Sequence, residues 1–256
     1  MTRTVRGFFA ASLLVAAPLG AQEPRAWPER VFISIDVPFQ GLSDDFSESL
    51  RFADAVRRTE NDTFVAEYPA PRGALVAAGA GLRITNSMGV GATVSWFQRS
   101  ATGAFDLSVP SPVAANRPLE LTGSVSGLKR REIGIHVQTL YARALGRRSR
   151  LMLSGGPSLY STTQDLVRSI EFDIPPGFTS LTFDRALVTQ VGKTAIGFNA
   201  GADLTWVLAS HVGVGVGTRY SRATVTLDPG SASGVNRAVE LHAGGLHVGG
   251  GIRFLF

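Results

Sequence analysis

Eight stretches of this chain alternate apolar and polar residues with a period of two, and they constrain the fold more than any other feature. That period is the period of a β-strand, whose successive side chains point to opposite faces. The stretches are residues 31–40, 74–85, 89–99, 132–145, a segment starting at residue 150, 194–208, 211–224 and 239–256. The larger apolar side chains keep to one face, and the other face is rich in glycine, serine, threonine and charge. We therefore predict eight strands.

The connections between these strands alternate between very short and long. The short ones are residues 86–88, 146–149 and 209–210, and the long ones are residues 41–73, 101–131, 165–193 and 225–238. A soluble β-sandwich would show the same alternation within its strands, so the strand pattern alone leaves the architecture open. Short turns at one rim and long loops at the other are typical of a transmembrane β-barrel. The asymmetry of the connections therefore favours a barrel.

Composition supports the same architecture and excludes other classes. After the first twenty residues no apolar stretch is long enough for a spanning helix, and only helices and closed barrels satisfy their backbone in lipid. The absence of cysteine excludes disulfides and thiolate metal sites. The excess of arginine is small and forms no long basic run, so nucleic acid is not an expected partner. We predict an all-β fold, a single up-and-down antiparallel transmembrane barrel.

The N-terminal residues have the pattern of a secretory signal peptide. Arg3 and Arg6 precede the apolar residues 7–19, and the small residues Gly20 and Ala21 follow. The apolar run is shorter than the ~20 residues of a membrane-spanning helix. We predict a signal peptide at 1–21 that is cleaved after Ala21, and a barrel domain at 22–256 in the bacterial outer membrane.

The number of spanning strands depends on how the long connections are interpreted. Residues 50–56 and 63–68 alternate weakly, so they either extend the barrel as hairpins above the membrane or add spanning strands. Additional spanning strands would make ten or twelve. The lipid-facing set of residues 50–56 would then include Asp54, and a charge at mid-depth in lipid is costly. Eight strands with long extracellular hairpins is therefore the prediction, and ten is the alternative.

The last strand and four aromatic residues predict how the barrel meets the membrane. Ile252, Phe254 and Phe256 share one face at the end of the chain, and we expect them to form the assembly signal. Aromatic side chains collect at both membrane interfaces. The expected girdle residues are Trp96 and Tyr220 on the extracellular side, with Tyr141 and Trp206 on the periplasmic side.

On these residues and on the strand pattern, the chain resembles the small outer-membrane β-barrels of the OmpA/OmpX kind. The resemblance implies a fold and a compartment. It also implies that outer-membrane lipid and lipopolysaccharide surround the barrel, that the barrel assembly machinery inserts it, and that it is a monomer. The class includes adhesion and complement-evasion proteins, structural barrels, narrow pores and a few lipid-modifying enzymes, so function does not transfer with the fold.

Polar residues on the predicted inner face are the candidates for function. They are Asp36, Arg83, Glu132, His136, Gln138, Asn199, Asp203, Arg219, His247 and Arg253. We expect Asp36 and Asp203 to neutralise Arg83 and Arg253 in the lower barrel, because an unpaired buried charge is costly. A barrel of eight strands is just wide enough for side chains to fill it. A plugged lumen is therefore favoured over a pore or a proton-linked gate through His136 and His247.

Sequence evidence for catalysis is weak. Glu240 and His242 share the outward face of the last strand, but no serine lies on the same face of the preceding strand to act as a nucleophile. No residue is predicted to be catalytic or to hold a metal or cofactor. We expect a non-enzymatic protein with a structural role, or with a surface-interaction role carried by its extracellular loops. The alternatives are a narrow channel for small or hydrophobic solutes and, more weakly, a lipid A-modifying enzyme.

Overall fold

The computed structural model describes residues 29–42, 45–53, 61–111, 117–176, 180–228 and 238–256. The predicted signal peptide and Asp54 lie outside these ranges. The strands of the described residues are β1 (Val31–Leu42), β2 (Phe46–Ala53), β3 (Asn61–Tyr68), β4 (Gly73–Ala74), β5 (Val76–Arg83), β6 (Met88–Val109), β7 (Leu119–Ala144), β8 (Ser149–Asp173), β9 (Thr182–Ala209), β10 (Val212–Leu227) and β11 (Val239–Leu255). None of the described residues forms a helix long and apolar enough to cross a bilayer.

Eight of these strands form a closed ring. The antiparallel pairs run in the order β6, β5, β1, β11, β10, β9, β8, β7, and β7 pairs with β6 to close the ring. The first and last strands of the chain meet in the pairs from Phe32 with Leu255 to Gln40 with His247. The predicted eight-stranded barrel is confirmed. Outside the ring, β2 and β3 form a hairpin that pairs with the far end of β6, and β4 pairs with β1.

A belt of exposed apolar side chains surrounds the ring. It includes Ile33, Ile35, Val37, Val90, Val94, Ile135, Val137, Val214, Val216, Val248 and Ile252. Monomeric soluble proteins rarely expose a continuous apolar surface of this extent, whereas the outward face of a membrane barrel requires one. The tight turns 84–88 and 145–149 and the pairing of Arg30 with Phe256 all lie at one rim. This rim is therefore the periplasmic one.

The seam that closes the ring depends on the last residue. The carbonyl oxygen of Phe256 accepts hydrogen bonds from the backbone N–H of Arg30 at 2.7 Å and of Val31 at 2.9 Å. Its own N–H donates to the Val31 carbonyl at 2.8 Å. We expect deletion of Phe256 to lower the yield of folded barrel, because the seam loses these bonds and the terminal aromatic residue. Heat-modifiable migration on gels measures this yield, since folded barrels migrate faster than boiled ones.

Phe256→Ala is the matched control for that deletion, because it keeps the backbone bonds and removes the ring. A low yield for both variants would assign the effect to the aromatic side chain. A low yield for the deletion alone would assign it to the seam. If the deleted chain shifts on boiling as fully as the parent, the terminal strand is not an assembly determinant.

The middle strands are much longer than a membrane requires. The strands β6 to β9 contain 22, 26, 25 and 28 residues. A tilted transmembrane strand needs only about 9–11 residues. The extra length lies on the side of the long connections, so β6–β7 and β8–β9 project as hairpins from the extracellular rim. The weakly alternating residues 50–53 and 63–68 lie in β2 and β3, which also form a hairpin on that side.

Above the membrane the ring opens along three seams. Pairing stops at Arg130 with Gln164 between β7 and β8, at Gly197 with Ala223 between β9 and β10, and at Leu42 with Leu246 between β1 and β11. Three units result. We call residues 165–173 and 182–196 the ribbon, and residues 222–227 and 239–245 the finger. The third unit is a four-stranded sheet of β2, β3 and the outer parts of β6 and β7, here called the lobe.

The lobe, the ribbon and the finger pack around a common apolar core. Its fully buried members include Phe64, Phe105, Leu107, Leu119, Leu166, Val167, Val225, Leu227 and Leu241. The Tyr68 hydroxyl of the lobe accepts a hydrogen bond from the Val167 N–H of the ribbon at 3.0 Å. The three units therefore form a packed extracellular domain over the barrel mouth, which we call the dome.

Two glycines of β11 have unusual backbone angles where the finger begins. Gly244 and Gly245 have positive φ angles of 92° and 140°, which side chains rarely tolerate. A Cβ atom on Gly244 would also lie 2.4 Å from the Ser221 carbonyl oxygen. Beyond these glycines the finger is no longer paired with β1, and Val225 and Leu227 are completely buried.

Candidate functional site

An ion-pair cluster occupies the lower lumen. Arg253 of β11 donates from Nη1 to Asp36 Oδ1 at 2.5 Å and from Nη2 to Asp203 of β9. Asp203 also accepts a hydrogen bond from the Thr205 hydroxyl at 2.7 Å. The charged side chains are largely buried, so each carboxylate depends on Arg253 for compensation. One arginine thus joins three strands across the barrel.

Arg83 does not belong to this cluster. The register partner of Asp36 on β5 is Ala77, and Arg83 lies six residues further towards the periplasmic rim. That separation is about 20 Å along the strand, which is longer than the two side chains can span. The hydrogen bonds of Asp203 go to Arg253 and Thr205. The expected pairing of Asp36 and Asp203 with Arg83 is therefore wrong, because Arg253 forms the ion pairs with both aspartates.

A hydrogen-bonded network fills the lumen above the cluster. His136, which is completely buried, lies between two hydroxyls, with Nε2 3.1 Å from Ser95 Oγ and Nδ1 2.8 Å from Ser158 Oγ. Asn199 donates to the same Ser158 oxygen at 2.9 Å and accepts from Gln138 at 2.8 Å. Both ring nitrogens of His136 therefore have partners, as in a packed polar core. The sequence analysis did not single out Ser95 and Ser158, although the alternation of their strands places both on the inward face.

Arg219 and His247 border a small cavity between the network and the cluster. The cavity has a volume of about 80 Å³, and Asp36, Asp203 and Arg253 also line it. His247 is buried, and its Nε2 has no hydrogen-bond partner within the described residues. A polar cavity of this size has room for a few water molecules. The predicted lumen residues that adjoin free space thus include both Arg219 and His247.

A buried ion pair connects opposite walls at the top of the lumen. Arg130 Nε lies 2.6 Å from Glu132 Oε1, and both side chains come from β7. Glu132 Oε2 accepts the Gly244 N–H at 3.0 Å, and Arg130 Nη2 donates to the His242 carbonyl at 2.5 Å. The Gly244 N–H and the His242 carbonyl lie above the point where the pairing of β1 with β11 ends. These backbone groups therefore need hydrogen-bond partners other than β1. Arg130 was missed because it falls in a predicted long loop.

Apolar layers close the lumen on both sides of the polar groups. Phe32, Leu140 and Leu255 pack together at the periplasmic end, each at least nine-tenths buried. The dome core covers the extracellular end. Buried side chains therefore line the described lumen from the lower apolar layer to the dome core, with the small cavity among them.

The predicted interface residues lie on the outer surface. Trp96 is opposite Val76 and Ile133, and Tyr220 is opposite Leu246. Trp206 and Tyr141 lie near the periplasmic turns, and all four side chains are exposed. In the last strand Ile252 and Phe256 are exposed, and Phe254 is half-buried.

The outward residues of the finger show little sign of a catalytic site. His242 Nδ1 lies 3.4 Å from Thr224 Oγ1, a long contact at an exposed position. Glu240 is exposed on the same face. No group of three or more potential metal-ligating side chains occurs among the described residues.

The fold and the filled lumen together define a class, that of closed eight-stranded membrane barrels. No protein-family model and no curated protein matches the sequence. Solved structures are similar in fold. The outer membrane protein OprG from Pseudomonas aeruginosa is 10% identical over 89% of this chain and 96% of its own, with a TM-score of 0.50. Neisserial surface protein A is 13% identical over 88% of this chain and 97% of its own, with a TM-score of 0.43.

The attachment invasion locus protein Ail of Yersinia pestis is 12% identical over 88% of this chain and 99% of its own, with a TM-score of 0.35. At this identity, the similarity to OprG shows a shared fold and nothing about activity. The chain thus has the fold of the small eight-stranded outer-membrane β-barrels, as its strand pattern predicted.

Proposed function

We propose that this protein is a non-enzymatic outer-membrane barrel that is closed to solutes and presents its dome for interactions at the cell surface. The observation that carries the proposal is the distribution of packing along the barrel axis. The lumen is filled between the layer of Phe32, Leu140 and Leu255 and the dome core, whereas β6 to β9 extend far beyond the membrane. The elaborated part of the molecule is therefore extracellular, where surface loops carry function in many barrels.

The surroundings of the barrel follow from its lipid-facing belt. The belt requires outer-membrane lipid around it, with lipopolysaccharide in the outer leaflet. Cleavage of the signal peptide after Ala21 would release the chain for insertion by the barrel assembly machinery. The ring is complete within one chain, which supports a monomer. The dome is the candidate surface for an extracellular ligand.

Conductance across a planar bilayer tests whether the barrel is closed. We expect no resolved openings from the intact protein, because side chains occupy the lumen at every level. A variant with short turns in place of residues 102–127 and 165–190 removes the lobe tip and the ribbon, and with them much of the dome core. We expect it to remain closed as well, because it keeps the lower apolar layer and the polar network.

Comparison of the intact protein with the shortened variant distinguishes closure by the lumen side chains from closure by the dome. Stable openings of the intact protein would contradict the proposal outright. Openings of the shortened variant alone would show that the dome is the plug of a conducting barrel and would also overturn it. Heat-modifiable migration of both proteins is the control for correct folding.

A narrow channel is the second candidate, and one observation favours it. Arg219 and His247 line a polar cavity inside the lumen, as a translocation path would require. The path would also need displacement of Phe32 and Leu255 at the periplasmic end. A lipid-modifying activity remains the weakest candidate, because its only support is the long contact between His242 and Thr224.

A further inference from the structure

The outer strand of the ribbon has a long free edge. Residues 182–196 of β9 pair with β8 on one side, from Thr182 with Asp173 to Ile196 with Leu159. On the other side the pairing with β10 stops at Gly197. Beyond that point β10 pairs only with β11 as part of the finger. Alternate N–H and C=O groups of β9 along 182–196 therefore point away from the sheet, where no strand of the described residues pairs with them.

The two strands of the ribbon differ in how they are covered. On β8, Leu166 and Val167 are fully buried, and the Asp165 carboxylate accepts the Lys129 N–H of the lobe at 3.0 Å. On β9, Leu187 is 41% exposed and Val188 is 45% exposed, although they point to opposite faces. The ribbon thus packs on the lobe mainly through β8, and also through Phe183 of β9 against Phe105, while Leu187 and Val188 of β9 remain exposed.

The central part of this edge lacks the charges and prolines that normally protect free strands, and the register of its pairing with β8 shifts once within it. Natural edge strands carry charges, prolines or bulges that prevent pairing with another chain. The central run 186–192 reads Ala-Leu-Val-Thr-Gln-Val-Gly and contains neither a charge nor a proline. The nearest charges, Arg185 and Lys193, flank it. Arg185 donates two hydrogen bonds to the Glu171 carboxylate near the tip of the ribbon, and these bonds raise the pKa of Arg185. An unprotected apolar edge outside the membrane is a surface suited to strand addition.

We propose that the free edge of β9 binds an extended segment of another protein, which adds to the ribbon as a further strand. This inference rests on the proposed surface-interaction function and names the kind of partner. The partner segment would be extended, with apolar or β-branched residues on both faces opposite 186–192 and with few charges there. Backbone hydrogen bonds would supply affinity, and contacts with Leu187 and Val188 would supply selectivity.

Two other occupants fit the structure less well. The finger is the nearest strand of the same chain, but it is already packed into the dome core through Val225 and Leu227. A second copy in the same membrane has its β9 running in the same direction, from the extracellular to the periplasmic side. Antiparallel pairing of two β9 edges is therefore impossible between neighbours in one membrane.

A peptide with the sequence of residues 159–173 is a suitable probe, because that sequence already pairs antiparallel with the same residues of β9. Binding of the labelled peptide to the full-length protein in lipid nanodiscs is measured by fluorescence anisotropy. The control peptide has proline at the positions of Thr163, Val167 and Ile170, so it cannot form a continuous strand. We expect binding of the first peptide and none of the second.

The variants Leu187→Lys/Val188→Lys and Ala104→Lys test the location. Ala104 is exposed on β6 of the lobe, between paired strands β3 and β7, so a lysine there leaves the β9 edge unchanged. Loss of a cross-strand contact costs up to about 1 kcal/mol, which is about fivefold in affinity. We expect at least fivefold weaker binding for the β9 double variant and unchanged binding for Ala104→Lys. Heat-modifiable migration confirms that both fold.

Three results would overturn the inference. Equal binding of the proline peptide would exclude strand addition, and equal affinity of the two lysine variants would exclude the β9 edge. Clustering of protein-bearing vesicles that the peptide abolishes would identify a second copy on an apposed membrane as the occupant. Failure of the proposed function is distinguishable, because conducting openings would contradict the closed barrel while leaving the peptide result intact.

Discussion

Replacing Arg253 by methionine is expected to destabilise the barrel by about 3–5 kcal/mol, the range for breaking a buried ion pair by removing one partner. The arginine forms ion pairs with Asp36 and Asp203 together, and without it two largely buried carboxylates lose the cation that is bonded to them. Methionine keeps much of the side-chain volume of arginine, so the loss of stability reports mainly the removal of the positive charge. Urea unfolding in lipid vesicles measures the free energy.

Double substitutions assign the effect to the pairing. Asp203→Ala combined with Arg253→Met should cost less than the sum of the single changes, because the unpaired charge disappears with its partner. Asp203→Ala combined with Arg83→Met should be additive, since Asp203 pairs with Arg253 and not with Arg83. Additivity for the first pair would show that the contact contributes nothing and would favour a hydrated lumen.

Replacing Val214 by arginine is expected to cost roughly 2–4 kcal/mol in the same unfolding measurement. Val214 lies on the outward face of β10 between Trp206 and Ile252, within the apolar belt. A charge at this depth must enter hydrocarbon or distort the bilayer around it. The lipid-facing assignment of β10 therefore predicts a large penalty at this position.

Thr226→Arg is the matched control for this change. Thr226 lies on the same strand and the same face but in the finger, above the membrane, and it is exposed. An arginine there should change stability by no more than about 0.5 kcal/mol. A similar penalty at both positions would mean that the belt is wrongly placed. Gly215 is unsuitable as a control, because a Cβ atom there would lie 2.9 Å from the Arg253 guanidinium.

The sequence by itself determined the strands, their faces and their number. Alternation assigns each side chain to a face because the period of a strand is local and independent of its neighbours. For that reason the sequence alone predicted that Asp36, Asp203 and Arg253 lie on the inward face. The lengths of the connections then identified the periplasmic turns and the extracellular hairpins, since turn length is also a local property. Eight strands and a filled lumen followed from these two observations.

Only the tertiary structure decided which inward residues meet. Depth in the barrel depends on the register between strands, and the sequence pattern allows more than one register. Arg253 rather than Arg83 therefore compensates both aspartates, and Arg130 reaches across to β11 although it lies in a predicted loop. The dome and the free edge of β9 depend on where neighbouring strands part. Beyond those seams the hairpins bury apolar side chains by packing on one another, and burial of apolar surface stabilises this arrangement.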